Sequence, residues 1–223
     1  MRLTSGFLLV AATVALADSS GRSLTPAGLV AGWEFSRWRR DREEKSGKPL
    51  DLKGGKIERD GLALDHGYAM LRDPSVGLVT GSMSVEAWVK LDDLPRVWTC
   101  LVCRGTPGEN SQSYGLYVGN RGCTYFTTTA QNLQSPNGKV EAGVWTHLVG
   151  VVEEKGDLRV YVNGECVSRV AATEGVRDRG GAFCIGGGEG QYSHGLSGAF
   201  RSVRVFNYAM PEPDVLRRSK RKP

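Results

Sequence analysis

Histidine is scarce in this chain: His66, His147 and His194 are all that occur in 223 residues. No Gly-x-Ser-x-Gly turn accompanies them, so a Ser-His-Asp hydrolase site has no readable frame. Proline is also sparse, nine in total, and no low-complexity linker or internal repeat divides the chain. A phosphate-binding loop is missing, because Gly186-Gly187-Gly188-Glu189-Gly190 has neither the Lys nor the following helix that such a loop needs. Past the N-terminal segment, no stretch approaches the roughly 18 apolar residues of a membrane span. Helical periodicity is weak throughout. Trp38–Lys45 is simply charged, and Pro213–Arg218 reads as one short turn after Pro211.

What is present is glycine, 30 residues of it, with 40% apolar residues overall. That balance describes a folded chain built on tight turns, long enough to bury a core without metal or disulfide. Ser84–Lys90 alternates strictly: Val85, Ala87 and Val89 face one way, and Ser84, Glu86, Trp88 and Lys90 the other. Tyr114–Val118 and Cys123–Thr128 flank Gly119-Asn120-Arg121-Gly122, a hairpin turn. Thr146–Glu153 and Leu158–Val162 flank Glu154-Lys155-Gly156-Asp157, a second one. Asn163-Gly164 then predicts a type I′ turn leading into Glu165–Arg169, because both residues tolerate positive φ. Phe183–Ile185 and Ala199–Phe206 complete an all-β reading with strands about every ten residues, as in a sandwich or jelly roll.

The first 17 residues read as a secretory signal peptide: Arg2, an apolar run from Phe7, and the small-residue end Ala15-Leu16-Ala17. No Cys follows the expected cut, so a lipoprotein anchor is not indicated. Export places Cys100, Cys103, Cys123, Cys166 and Cys184 in an oxidising compartment. Five is odd, so at least one stays free or pairs between chains. Disulfides and small buried apolar thiols both remain open readings, and the pairing is not readable. Val97–Cys103 reads as a strand, which predicts opposite faces for Cys100 and Cys103 and argues against a metal knuckle.

Four blocks carry a family resemblance. They are Gly28–Phe35, Met83–Lys90, Trp145–Val151 with Leu158–Gly164, and Gly198 with Val203–Met210. In this order they resemble the laminin-G-like jelly rolls of the concanavalin A-like lectin/glucanase superfamily. The resemblance implies two antiparallel sheets in a jelly-roll sandwich over residues 18–215, and a role outside the cytoplasm, secreted, periplasmic or at the cell surface. It implies a binding module for glycans or extracellular proteins. Residues 216–223 form a basic tail outside that domain. Two departures from the family pattern stand out. Arg201 occupies a usually acidic position, and Ser36–Lys45 is rich in Arg where relatives place Asp for calcium. Calcium needs six to eight converging oxygens. Asp51 and Asp65 are the candidate ligands that remain, and no cofactor is required.

No strand presents the paired carboxylates of a glycosidase. Glu86 is alone on its strand, and Glu153-Glu154 are adjacent at a turn. The reading is therefore a non-enzymatic glycan binder. A glycosidase or lyase of the same fold, and an adhesive envelope protein, are the alternatives. Sugar rings stack on aromatics, so Trp88, Tyr117, Tyr125 and Tyr161, with Arg159, are candidate contacts. The Gly-flanked loop with Gln191, Tyr192 and His194 is the leading one. Trp88 and Tyr161 read equally well as core. The formal charge of +5 suggests a nucleic-acid partner at first sight. Its location excludes one: without Arg2 and the five bases of Arg217–Lys222, 23 bases face 24 acids. Membrane contact is left only to that tail.

Overall fold

The computed structural model describes residues 28–35, 44, 46–107, 111–189 and 195–221. The segment expected to be a signal peptide, most of Ser36–Lys45, and the candidates Gln191, Tyr192 and His194 lie outside the described residues. Among the described residues thirteen strands follow in order: β1 (Leu29–Glu34), β2 (Asp51–Glu58), β3 (Gly61–Leu71), β4 (Met83–Leu91), β5 (Thr99–Arg104), β6 (Tyr114–Val118) and β7 (Thr124–Thr128), then β8 (Asn132–Gln134), β9 (Thr146–Val152), β10 (Asp157–Val162), β11 (Glu165–Ala171), β12 (Phe183–Ile185) and β13 (Leu196–Phe206). One helix, α1 (Glu212–Ser219), closes the chain. Every strand pairing is antiparallel.

The hairpins form where the turn chemistry places them. Lys155, Asn163 and Gly164 take φ of 60°, 51° and 88°, the left-handed values that a tight reversal needs. The Asn163 side chain also accepts the His147 backbone N–H at 3.0 Å, tying that turn to β9.

Hydrogen bonding does not separate into the two sheets expected from the resemblance. One ladder runs β11-β10-β9-β4-β13-β3-β12-β5-β6-β7-β8. The junction is β3, whose one edge is shared: β13 pairs with its Leu62–Gly67 half and β12 with Ala69–Leu71. Between these halves His66 takes a φ of 45°, and the strand deflects there. The ribbon curls so that its halves face each other across one core. Val85, Ala87 and Val89 enter that core with Trp33, Leu116, Phe126 and Phe183, and Trp33 stacks on Phe183 at 4.8 Å.

Gly150 of β9 shows how closely the halves meet. A Cβ there would stand 2.5 Å from the Phe126 ring of β7. Gly150→Ala is expected to lower stability by about 1–3 kcal/mol through overpacking. A urea midpoint unchanged from the parent would show that the ring yields freely.

The other face of β4 is buried too. Ser84, Glu86 and Trp88 are 0%, 2% and 6% exposed. A second cluster, with Val149, Val151, Tyr161, Phe206, Met210 and Val215, covers this side, and α1 supplies Val215. For residues 216–221 this corrects the reading of a basic tail outside the domain. The helix runs through Ser219, which is buried. Arg217 pairs with Asp214 at 2.7 Å, and Arg218 reaches inward to Glu86. Glu212 and Asp214 in the first turn, and Arg217 and Arg218 in the last, also oppose the helix dipole favourably.

Candidate functional site

The connection from β4 to β5 carries Asp93-Leu94-Pro95-Arg96-Val97-Trp98, a segment with apolar and aromatic side chains at the surface. Val97 and Trp98 are 49% and 40% exposed. On one side of this segment lies a cleft of about 580 Å³, lined by Asp93, Arg96, Val97 and Thr99 and, opposite them, by His66 and Gly195–Ser197. The far wall is built by close backbone approach. A Cβ on Gly195 would stand 2.1 Å from the His66 carbonyl oxygen, so only glycine fits. The His66 N–H donates to Ser197 Oγ at 3.1 Å, and the Asp92 N–H to the Ser197 carbonyl at 3.1 Å. The β3 deflection that joins the two halves of the ribbon therefore also forms this wall.

Trp98 turns to the other side of the same segment. Its ring lies over Gly119, where a Cβ would approach it to 3.0 Å. It packs against Tyr125 at 5.2 Å, and Tyr125 meets Tyr117 edge-on at 6.1 Å. Tyr117 donates its hydroxyl proton to Gln112 Oε1. Burial pushes the Tyr125 hydroxyl above the ordinary range, so it remains a donor at neutral pH. The outcome is a partly exposed aromatic ring backed by phenols on one side of the segment, and on its other side a cleft that offers a carboxylate, a guanidinium, an imidazole and hydroxyls. Such a surface matches a sugar, which has an apolar C–H face and hydroxyls around its edge. The cleft volume falls within the about 300–1,000 Å³ usual for small-ligand sites.

Of the sequence-predicted contacts, Tyr125 is half-buried beneath Trp98, and Tyr117 is buried behind it, where it backs the face without reaching a ligand. Trp88 is not on this face: it lies 5.0 Å from the His147 ring and is buried. Tyr161 is fully buried in the cluster under α1, with no hydrogen-bond partner for its hydroxyl among the described residues. Arg159 pairs with Glu153 at 3.1 Å. These three lie under neighbouring elements because the second face of the sheet is covered, which alternation alone does not reveal. Asp51 starts β2 opposite Met70, and Asp65 is exposed in β3. They do not converge, and no group of three metal-ligating side chains occurs among the described residues. Trp98 and the cleft residues were not legible. Val97–Cys103 reads as plain strand, and only its aromatic next to a Pro-containing loop hints at exposure.

Glu86 is held in a buried network. His147 Nε2 donates to its Oε1 at 2.8 Å, and Arg218 donates from Nε at 2.9 Å and from Nη2 at 2.6 Å. The Arg218 guanidinium also lies over Phe206 at 4.9 Å. Burial alone would raise the Glu86 pKa. The hydrogen bonds from His147 and Arg218 outweigh it and bring the group down to about 2. This carboxylate does not line the cleft, where Asp93 is the one carboxylate among the described lining residues.

The fold and the cleft define an antiparallel all-β domain of the lectin-like fold class. The chain belongs to the concanavalin A-like lectin/glucanases superfamily, whose laminin-G-type family profile matches residues 65–216. No curated protein matches the sequence significantly. Among solved structures, domain 4 of AbnA, an extracellular GH43 arabinanase from Geobacillus stearothermophilus in complex with arabinotriose, is similar at a TM-score of 0.62 and 17% identity, with 85% of this chain and 97% of that one covered. The binding domain of paraclostridial mosquitocidal protein 1 gives a TM-score of 0.65 at 12% identity, covering 86% of this chain and 52% of that one. The sialidase of Trypanosoma rangeli, bound to 2,3-difluorosialic acid, gives 0.61 at 17% identity over 87% of this chain. The present chain spans 33% of that sialidase. These likenesses establish the fold.

Proposed function

We propose that the protein is an exported, non-catalytic module that binds glycan on a jelly-roll sandwich, with Trp98 as the stacking residue. The observation that carries this reading is the exposed Trp98 ring, fixed on Tyr125 at the side of a cleft with polar groups. Across the segment, Asp93, Arg96, His66 and Ser197 offer hydrogen bonds to the hydroxyls of a neighbouring sugar unit, and Tyr125 and Tyr117 hold the platform still. A structurally similar domain solved with arabinotriose supports carbohydrate as the ligand class. Asp93 as the one carboxylate among the described cleft residues supports binding over hydrolysis, which needs two carboxylates flanking the bond.

The test is a glycan panel that includes arabino-oligosaccharides and sialylated glycans, measured by calorimetry with and without calcium. Binding to at least one class is expected. Trp98→Ala is expected to weaken it about 10- to 30-fold, the loss of roughly 1.5–2 kcal/mol of stacking and burial, with melting unchanged. No binding in either condition overturns the reading. Release of new reducing ends from a bound glycan overturns its non-catalytic part.

A further inference from the structure

Three thiols share the outer face of β5 and β12: Cys100, Cys103 and Cys184, each at most 1% exposed. All five cysteines are free in the structure. Alternation predicts opposite faces for Cys100 and Cys103, and this needs correction. The β5–β6 register shifts between Cys100 and Val102. The extra residue turns both Leu101 and Val102 into the main core, and Cys100 and Cys103 return to the same outer cluster with Met70, Tyr117 and Cys184.

One pair among these three stands directly across a strand ladder. Cys103 and Cys184 are direct cross-strand partners. Antiparallel partners have Cα atoms about 4.5–5.5 Å apart, within the about 4.4–6.8 Å that a disulfide spans. Cys100 also meets Cys103, but as a same-face neighbour three residues earlier on one strand, about 10 Å along it at the usual rise and less across the bulge, and its cross-strand partner is Tyr117. Cys123 lies by Gly119 below Trp98, and Cys166 sits apart on β11.

We propose that Cys103 and Cys184 form a disulfide as the chain folds in an oxidising compartment, closing the segment between β5 and β12. With oxidised glutathione as oxidant, one Cys thiolate attacks a glutathione sulfur and releases one glutathione thiolate. The second Cys thiolate then attacks the protein sulfur of the mixed disulfide and releases the other. Two protons leave with the two reduced glutathiones, and both electrons of the protein thiols end there. The bond belongs to the folding step. In the folded protein, Cys100 beside Cys103, and Cys103 beside Cys184, together with burial, hold both thiols well above their ordinary range. Protonated, enclosed thiols are poor nucleophiles.

The test needs no ligand, so it stands apart from the glycan reading. The reduced, unfolded full chain is refolded with mixed reduced and oxidised glutathione, then unfolded in acid, alkylated and weighed. Three of the five cysteines are expected to take alkyl groups, and a digest to contain one peptide pair joining Cys103 to Cys184. Cys100→Ser is expected to keep that pair, and Cys184→Ser to lose it. Oxidant added only after reduced refolding is expected to act at least about tenfold more slowly. The oxidised form is expected to melt on the order of 10 °C higher. Five alkylated cysteines after oxidative refolding, or a bond that uses Cys100 instead, overturns the proposal.

Discussion

Arg218→Met is expected to destabilise the protein by about 3–5 kcal/mol, the range for removing one partner of a buried ion pair. The carboxylate of Glu86 is 2% exposed and would keep only His147. Glu86→Met is expected to cost less, about 2–3 kcal/mol, because Arg218, with 16% of its side chain exposed, can turn toward water. The double exchange should be milder than the sum of the two, since no charge is then left buried and unpaired. Acid titration gives the same network a pH signature. The folded-state pKa of Glu86 lies at about 2, below its ordinary value of 4.5. Its stabilising share is therefore complete above pH 4.5 and lost as pH falls through about 2, an amount on the order of 3 kcal/mol. Urea unfolding at several pH values checks this. A parent and a Glu86→Met variant with parallel acid profiles would defeat it.

Arg104→Ala is the second large effect, again about 3–5 kcal/mol. Arg104 is fully buried near the end of β5. Its Nε donates to Asp178 at 2.5 Å, its Nη1 to the Val76 carbonyl at 2.7 Å and its Nη2 to the Pro74 carbonyl at 2.7 Å. Truncation leaves Asp178 with Ser113 Oγ at 3.2 Å but without its guanidinium, strips the buried Val76 carbonyl and the part-buried Pro74 carbonyl of this donor, and loosens the 74–77 and 176–182 segments. Tyr114 also donates to the Gly77 carbonyl at 2.7 Å, so one tether of that loop survives. Arg104→Lys is expected to recover less than half the loss, because an ammonium cannot fork to three separated acceptors. Full recovery by Lys would show that charge alone matters here.

The strand positions were largely legible. Tyr114–Val118 and Phe183–Ile185 match their observed bounds, because alternation and turn residues act locally. β2 was not legible. Its Asp-Leu-Lys-Gly-Gly-Lys-Ile-Glu run is mostly exposed and pairs only with β3, so no hydrophobic period marks it. β3 was hidden by its own break at Asp65-His66-Gly67, where positive φ interrupts the period. Of the site, Tyr117 and Tyr125 were visible as hairpin aromatics. Trp98 was not, because exposure depends on what packs above a residue.

The sequence by itself determined the antiparallel all-β character, the turns, and the core face of β4 through Val85, Ala87 and Val89. These follow from φ preferences and a two-residue period, which neighbours along the chain set. Only the tertiary structure decided which second faces are covered. Glu86 and Tyr161 alternate outward and are buried nonetheless, because α1 and its Arg218 lie on that face, and Trp88 is buried beside His147. Only there did the apparent surplus of C-terminal charge become a helix and an ion pair. Two of the three scarce histidines took their places the same way. His147 went into the buried network of Glu86, and His66 to the wall of the cleft, by contacts between residues far apart in sequence. His194 falls outside the described residues.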